Sequence, residues 1–164
     1  MPDAMIKKLL TAALLVFSAL FFAACANESE SATVDDACQR KDGTLVAVEG
    51  FLVLPELMNA AINPETELTI YELILAAEPD GKSAAIKTSV FGTRSRKTNR
   101  IAELPAEGYT QKDLRIFTDT GEIVGSLDRV RITGKLSKEK SRTEASPNGR
   151  QCVLKVEKIE KRAE

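Results

Sequence analysis

The chain has 164 residues, enough for one domain of ordinary size with targeting material ahead of it. Its 23 Lys and Arg against 24 Asp and Glu leave a net charge of -1, so no global polyelectrolyte signal points to nucleic acid. Histidine is absent, which removes the commonest general base and the usual zinc nitrogen ligand and so excludes triad hydrolases and His-ligated metal centres.

Met5 to Ala24 reads MIKKLLTAALLVFSALFFAA: two lysines, an uncharged apolar run from Leu9, then small residues before Cys25. That is the layout of a secretory signal peptide, with either Met1 or Met5 as the start. The run Leu9 to Ala24 has 16 residues, short of the about 20 that a spanning helix needs. Its end, Phe22-Ala23-Ala24-Cys25, resembles the lipobox of bacterial lipoproteins, although Phe22 stands where that family prefers Leu. The resemblance implies cleavage before Cys25, which would then carry a thioether-linked diacylglycerol and an amide-linked acyl chain such as palmitate. Several chains exceed what stable anchoring requires. Ordinary secretion is the alternative.

In lipoproteins of diderm bacteria an Asp directly after the cysteine favours retention at the inner membrane. Ala26 and Asn27 stand there instead, so the resemblance implies an outer-membrane protein facing the periplasm if the host is diderm. Ala26 to Ala37, ANESESATVDDA, is small, polar and acidic. It is expected to be a flexible tether reaching roughly 20 Å. The expected organisation is a signal peptide over 1–24, a lipidated cysteine and tether over 25–37, and a folded domain over 38–164.

With Cys25 lipidated, Cys38 and Cys152 are the remaining cysteines. In an oxidising compartment they are expected to form a disulfide that clasps the two ends of the domain; two buried free thiols are the alternative. No Cys-x-x-Cys spacing supports a redox-active pair.

Thr44 to Leu54 is rich in β-formers, with Val46, Val48, Leu52 and Leu54 on one parity and Gly50 between them, and predicts a long bent strand. Pro55 to Glu67 predicts a loop with a helical turn at Glu56 to Ile62, closed by Asn63-Pro64. Leu68 to Ala77 is apolar on both parities and predicts a central second strand. Glu78-Pro79-Asp80-Gly81 is a tight turn, and Ser83 to Phe91 returns as the third strand of a hairpin. Gly92 to Thr110 predicts a long connection with one helical turn. Asp113 to Val124 predicts a small hairpin about Thr120-Gly121.

Asp128 to Ser137 has the clearest pattern. Val130, Ile132 and Leu136 alternate with Arg129, Arg131, Thr133 and Lys135, which is the period-2 signature of a sheet with one buried face. Gly134 takes an inward place, where the missing side chain favours a bulge or a sharp coil. Lys138 to Arg150 predicts a polar loop with a turn at Pro147-Asn148-Gly149, and Gln151 to Ile159 a last strand.

Five main strands, a long glycine-broken first one, a connection between the third and fourth, and a closing hairpin resemble an OB-fold over Thr44 to Lys161. The expected class is therefore all-β: a five-stranded OB-fold-like barrel with a small extra hairpin and at most short helical turns. The most specific piece is DRVRITGKL, Asp128 to Leu136, similar to the fourth strand common in this fold. It signals a fold and no activity. In that fold the first and fifth strands start at one end, just after Cys38 and Cys152.

Charge is divided along the chain. Eight acids and no base lie between Asp42 and Asp80, then six bases and no acid between Lys82 and Arg100. The cluster Arg94, Arg96, Lys97 and Arg100, and a second over 135–142 with Lys135 and Lys138, are candidate anion-binding loops, extended by the outward Arg129 and Arg131. A solvated loop is the alternative for each. Sparse aromatics after Cys25, with Tyr71 and Phe91 on strands, argue against nucleic acid. Asp113, Asp119, Glu122 and Asp128 lack the interleaved spacing of a calcium loop, and surface solubility explains them better. No cofactor, no metal ligand set and no activated nucleophile is legible. The expected function is a non-enzymatic binding or interaction module of the cell envelope, its partners an envelope protein or an anionic small ligand. The alternative is an anionic-ligand, nucleic-acid or oligosaccharide binder using loops 94–100 and 135–142.

Overall fold

The computed structural model describes residues 29–63, 68–92, 96–105, 108–140 and 150–163. The expected signal peptide, Cys25, Arg94, Pro64 and the turn Pro147-Asn148-Gly149 lie outside the described residues. The described chain is mostly strand. In order it forms β1 (Glu30–Ala32), the helix α1 (Val34–Ala37), β2 (Leu45–Val53), β3 (Ala60–Asn63), β4 (Leu68–Ala76), β5 (Ala85–Phe91) and β6 (Arg100–Ile101). A single 3-10 turn follows at Gln111–Asp113, then β7 (Ile116–Phe117), β8 (Ile123–Val124), β9 (Arg129–Lys140) and β10 (Arg150–Lys161).

Five of these strands close a ring. β2 runs antiparallel to both β4 and β9, β5 antiparallel to β4, and β10 antiparallel to β9. An odd ring cannot be antiparallel at every joint, so β5 and β10, which share the direction of β2, meet in parallel, Leu154 beside Thr88. The alternation read from the sequence sets what this ring encloses. Val46, Val48, Leu52 and Leu54 of the first strand are buried together with Leu73, Leu75, Ile86, Val90, Val130, Ile132, Leu136, Leu154 and Ile159. Each such side chain contributes roughly 1.5 to 3 kcal/mol by leaving water.

Two inward positions are glycines because strands coil tightly there. A side chain at Gly50 would run into the carbonyl oxygen of Ala76, and one at Gly134 into that of Lys155. Opposite Gly134 the pairing slips: Gly134 faces Val156 and Thr133 faces Lys158, leaving Glu157 as an extra residue on β10. The inward glycine and the bulge on its partner are thus one feature, which tightens the ring where β9 and β10 bend.

Most local expectations hold. β4 is hydrogen-bonded on both sides. The 78–81 turn closes with the Gly81 N–H donating to Glu78 O at 3.1 Å, and Gly81 has φ +69°. β7 and β8 pair as the small hairpin, and Gly121 in its turn has φ +86°.

Four expectations need correction. The stretch read as a flexible tether is ordered from residue 29 on: β1 pairs in parallel with β2, and α1 buries Val34 and Ala37 in the core. Thr33 starts that helix, its hydroxyl accepting the Asp36 N–H, so a polar composition conceals a cap and two apolar anchors. Instead of the helical turn expected at Glu56 to Ile62, an irregular stretch leads into β3, paired with β4 from Ala60 beside Tyr71 to Asn63 beside Leu68. Among its described residues the connection 92–110 carries β6 and no helical turn; the 3-10 turn comes just after it, with the Thr110 N–H donating to Asp113. Finally, Lys138 belongs to β9, not to a loop, because β9 and β10 remain paired as far as Lys140 and Arg150.

The disulfide forms as expected. Cys38 ends α1, Cys152 lies near the start of β10, and their Cα atoms are 5.8 Å apart across a sequence separation of 114. Nearby, the Lys138 N–H donates to Asp42 Oδ1 at 2.9 Å and the Gly43 N–H to Leu136 O at 2.9 Å, so one end of the ring is closed by covalent and hydrogen bonds together.

Candidate interaction face

The outward side chains of β2, β9 and β10 form a lattice of opposite charges, set by the cross-strand register. Glu49 lies beside Arg131, and Arg131 beside Glu160. Arg129 and Arg162 both reach Glu49, at 3.3 and 2.9 Å. Lys135 pairs with Glu157 at 3.5 Å and Lys155 with Glu139 at 3.1 Å. Lys158 holds Glu160 at 2.8 Å and Asp119 at 3.2 Å, while Lys161 holds Glu122 at 3.0 Å and Asp128 at 3.6 Å. These pairs are solvent-exposed and individually weak, but they neutralise the face.

Arg129, Arg131 and Lys135 therefore do not add up to the basic surface that alternation suggested. Lys138 stands seven residues beyond Arg131, roughly 23 Å along the strand, with its side chain beside the disulfide end. The depression of about 310 Å³ lined by Glu49, Arg129, Arg162 and Ala163 is already occupied by a satisfied ion-pair group.

The acids weighed as a calcium set have local partners instead. Asp113 accepts from the Thr110 N–H at 2.7 Å and the Thr110 hydroxyl at 2.9 Å, which holds its carboxyl below the ordinary carboxylate value. Asp128 accepts the Gly125 N–H at 2.8 Å. Hydrogen bonds to Glu160, then Asp119, raise the Lys158 ammonium, and Glu122 chiefly raises Lys161.

The other basic cluster has a different environment. Phe91 on β5 lies beside Arg100 on β6, and Arg100 beside Phe117 on β7. Their chain neighbours Val90, Ile101 and Ile116 are buried, so the three point outward as one row. Ile70 extends the row beyond Phe91, and the half-exposed Ile123 extends it beyond Phe117. The Arg100 guanidinium lies 4.0 Å from the centre of the Phe117 ring, and that of Arg96 lies 4.1 Å from the centre of Phe91. Lys97 is exposed beside them. Among the described residues no carboxylate pairs with Arg96, Lys97 or Arg100. The Arg100 Nε is buried without an acceptor.

What holds this segment in place was missed in the sequence. Asn99 adopts φ +51°, its N–H donates to Thr118 O at 3.3 Å, and its Oδ1 accepts the Ile159 N–H at 2.8 Å. It thereby staples the 97–101 segment to both β7 and β10. Asparagine is one of the few non-glycine residues that enters this left-handed region readily, which is the signal that was available. Tyr109 and Gln111 act similarly on the other side: the Tyr109 hydroxyl reaches Pro55 O and Glu56 O, and the Gln111 side chain both donates to and accepts from the Leu54 backbone.

The described chain is therefore a mostly β, disulfide-tied domain on a ring of five strands, with one neutralised face and one arginine-aromatic row. Comparison with protein-family models, with curated proteins and with solved structures finds no match for it.

Proposed function

We propose that this protein is a lipid-anchored component of the cell envelope whose domain, an OB-fold barrel, serves as a non-enzymatic binding module. The strand order supports the barrel reading: the first ring strand runs antiparallel to the fourth, the fifth returns from the fourth, and a small hairpin interrupts the path between third and fourth. The observation that carries the cellular address is the Cys38–Cys152 disulfide, because such bonds persist in oxidising compartments outside the cytoplasm. It agrees with a leader that ends at Phe22-Ala23-Ala24-Cys25, and with outer-membrane sorting toward the periplasm in a diderm host.

Three charged groups are poor candidates for acid–base chemistry. Asp113 is lowered and Lys158 and Lys161 are raised, each further into the charge state it already has at neutral pH. A general acid or base needs the opposite displacement. Metabolic labelling with a tagged fatty acid tests the anchor. The wild-type chain takes up label and Cys25→Ser does not; equal labelling of both sinks the lipoprotein reading.

A further inference from the structure

We infer that the row Phe91, Arg100, Phe117, with Arg96 above it, is a binding site for phosphate groups. The contrast within the molecule carries this. The cations Lys135, Lys155, Lys158 and Lys161 of β9 and β10 are met by nearby carboxylates, whereas Arg96 and Arg100 are met by aromatic rings. A guanidinium held over a ring gains attraction without losing its charge. Its N–H groups still suit two oxygens of one oxyanion. Stacking also fixes the side chain beforehand, which lowers the entropy lost on binding.

The register sets the spacing. Phe91 and Phe117 flank the strand of Arg100, so the two rings, each carrying one guanidinium, stand about two strand spacings or roughly 10 Å apart. Two neighbouring phosphate groups, each taking one guanidinium edge, bridge that gap, and Lys97 adds a third positive charge. Within the fold Arg100 is under-satisfied, because its Nε has lost water without gaining an acceptor. The asparagine staple to β7 and β10 makes the platform part of the rigid ring rather than a free loop. Phosphate can arrive from a soluble diphosphate or from a phospholipid headgroup. The site rests on reading the domain as a binding module, but not on the lipid anchor.

Calorimetric titration of the full-length chain at low ionic strength tests it with two probes: inorganic pyrophosphate, and dihexanoylphosphatidylglycerol below its micellar concentration. Binding of either at millimolar concentration or below supports the site. Pyrophosphate alone marks a soluble ligand, the lipid alone marks a headgroup, and both together mark phosphate from either source. Arg96→Gln and Arg100→Gln each weaken binding about tenfold, and Lys135→Gln, whose lysine is already paired, leaves it unchanged. Because Arg96 is exposed and, among the described residues, makes only the ring contact, Arg96→Gln keeps the test open even if Arg100→Gln is poorly folded. Absence of binding by both probes, or binding that survives both arginine substitutions, overturns the site. Cys25 acylation is read independently, so failure here leaves the anchor standing.

Discussion

Replacing both Cys38 and Cys152 by Ala probes how the ends of this domain are held. The bond closes a sequence separation of 114, for which the chain-entropy relation gives about 5 kcal/mol at 25 °C. That is comparable with the whole stability of many domains of this size. With a urea m-value of about 2 kcal/mol per molar, the unfolding midpoint should fall by about 2 to 3 M. Because the restraint acts mainly on the unfolded chain, the m-value should rise as that chain expands. The folded state should keep its other fastenings at this end, the Lys138 N–H to Asp42 bond and the burial of Val34 and Ala37. Equilibrium urea unfolding, followed by far-UV circular dichroism on the oxidised wild type and the double variant, measures all of this. A midpoint shift worth less than about 1 kcal/mol would refute the reasoning. It would mean that β1 and α1 already hold the N-terminal segment, or that the unfolded chain is compact without the bond.

Gly134→Ala should cost about 1 to 3 kcal/mol, because the added methyl meets the Lys155 carbonyl oxygen on a neighbouring backbone that cannot turn away; a melting temperature equal to wild type would contradict this. The pH dependence should have two separable limbs. Asp113, lowered in the fold from its ordinary 3.8, stabilises above that value and loses the contribution as pH falls through its folded value, so Asp113→Asn should flatten the acid limb of a stability profile. Lys158 and Lys161, raised from their ordinary 10.5, contribute fully below that value and lose the contribution as pH climbs through their folded values. Lys158→Met with Lys161→Met should therefore flatten the alkaline limb and leave the acid one.

The parts of the fold legible in the sequence were those written in a local period. Alternation in Asp128 to Ser137 gave the buried set Val130, Ile132 and Leu136, and the hairpin turns at Gly81 and Gly121 were legible from residues that tolerate positive φ. The strands missed, β1, β3 and β6, are two to four residues long, too short for any period to emerge. Their existence depends on a neighbour offering a free edge: β2 for β1, β4 for β3, β5 for β6. The same limit applied to the basic residues. Alternation correctly turned Arg129, Arg131 and Lys135 outward, but it carried no information on which acids would stand opposite.

The sequence by itself determined that this chain makes strands with one apolar side, that two of its glycines face inward, and that two cysteines flank the strand region. Those properties depend on residues a few positions apart, and the backbone enforces them wherever the strand finally lies. Only the tertiary structure decided which cations are neutralised and which are not. Glu157 reaches Lys135 across a bulge, whereas Phe91 and Phe117, 26 positions apart in sequence, come to flank Arg100 through strand pairing. Charge acts through space over a few ångströms, and that neighbourhood exists only once the ring has closed.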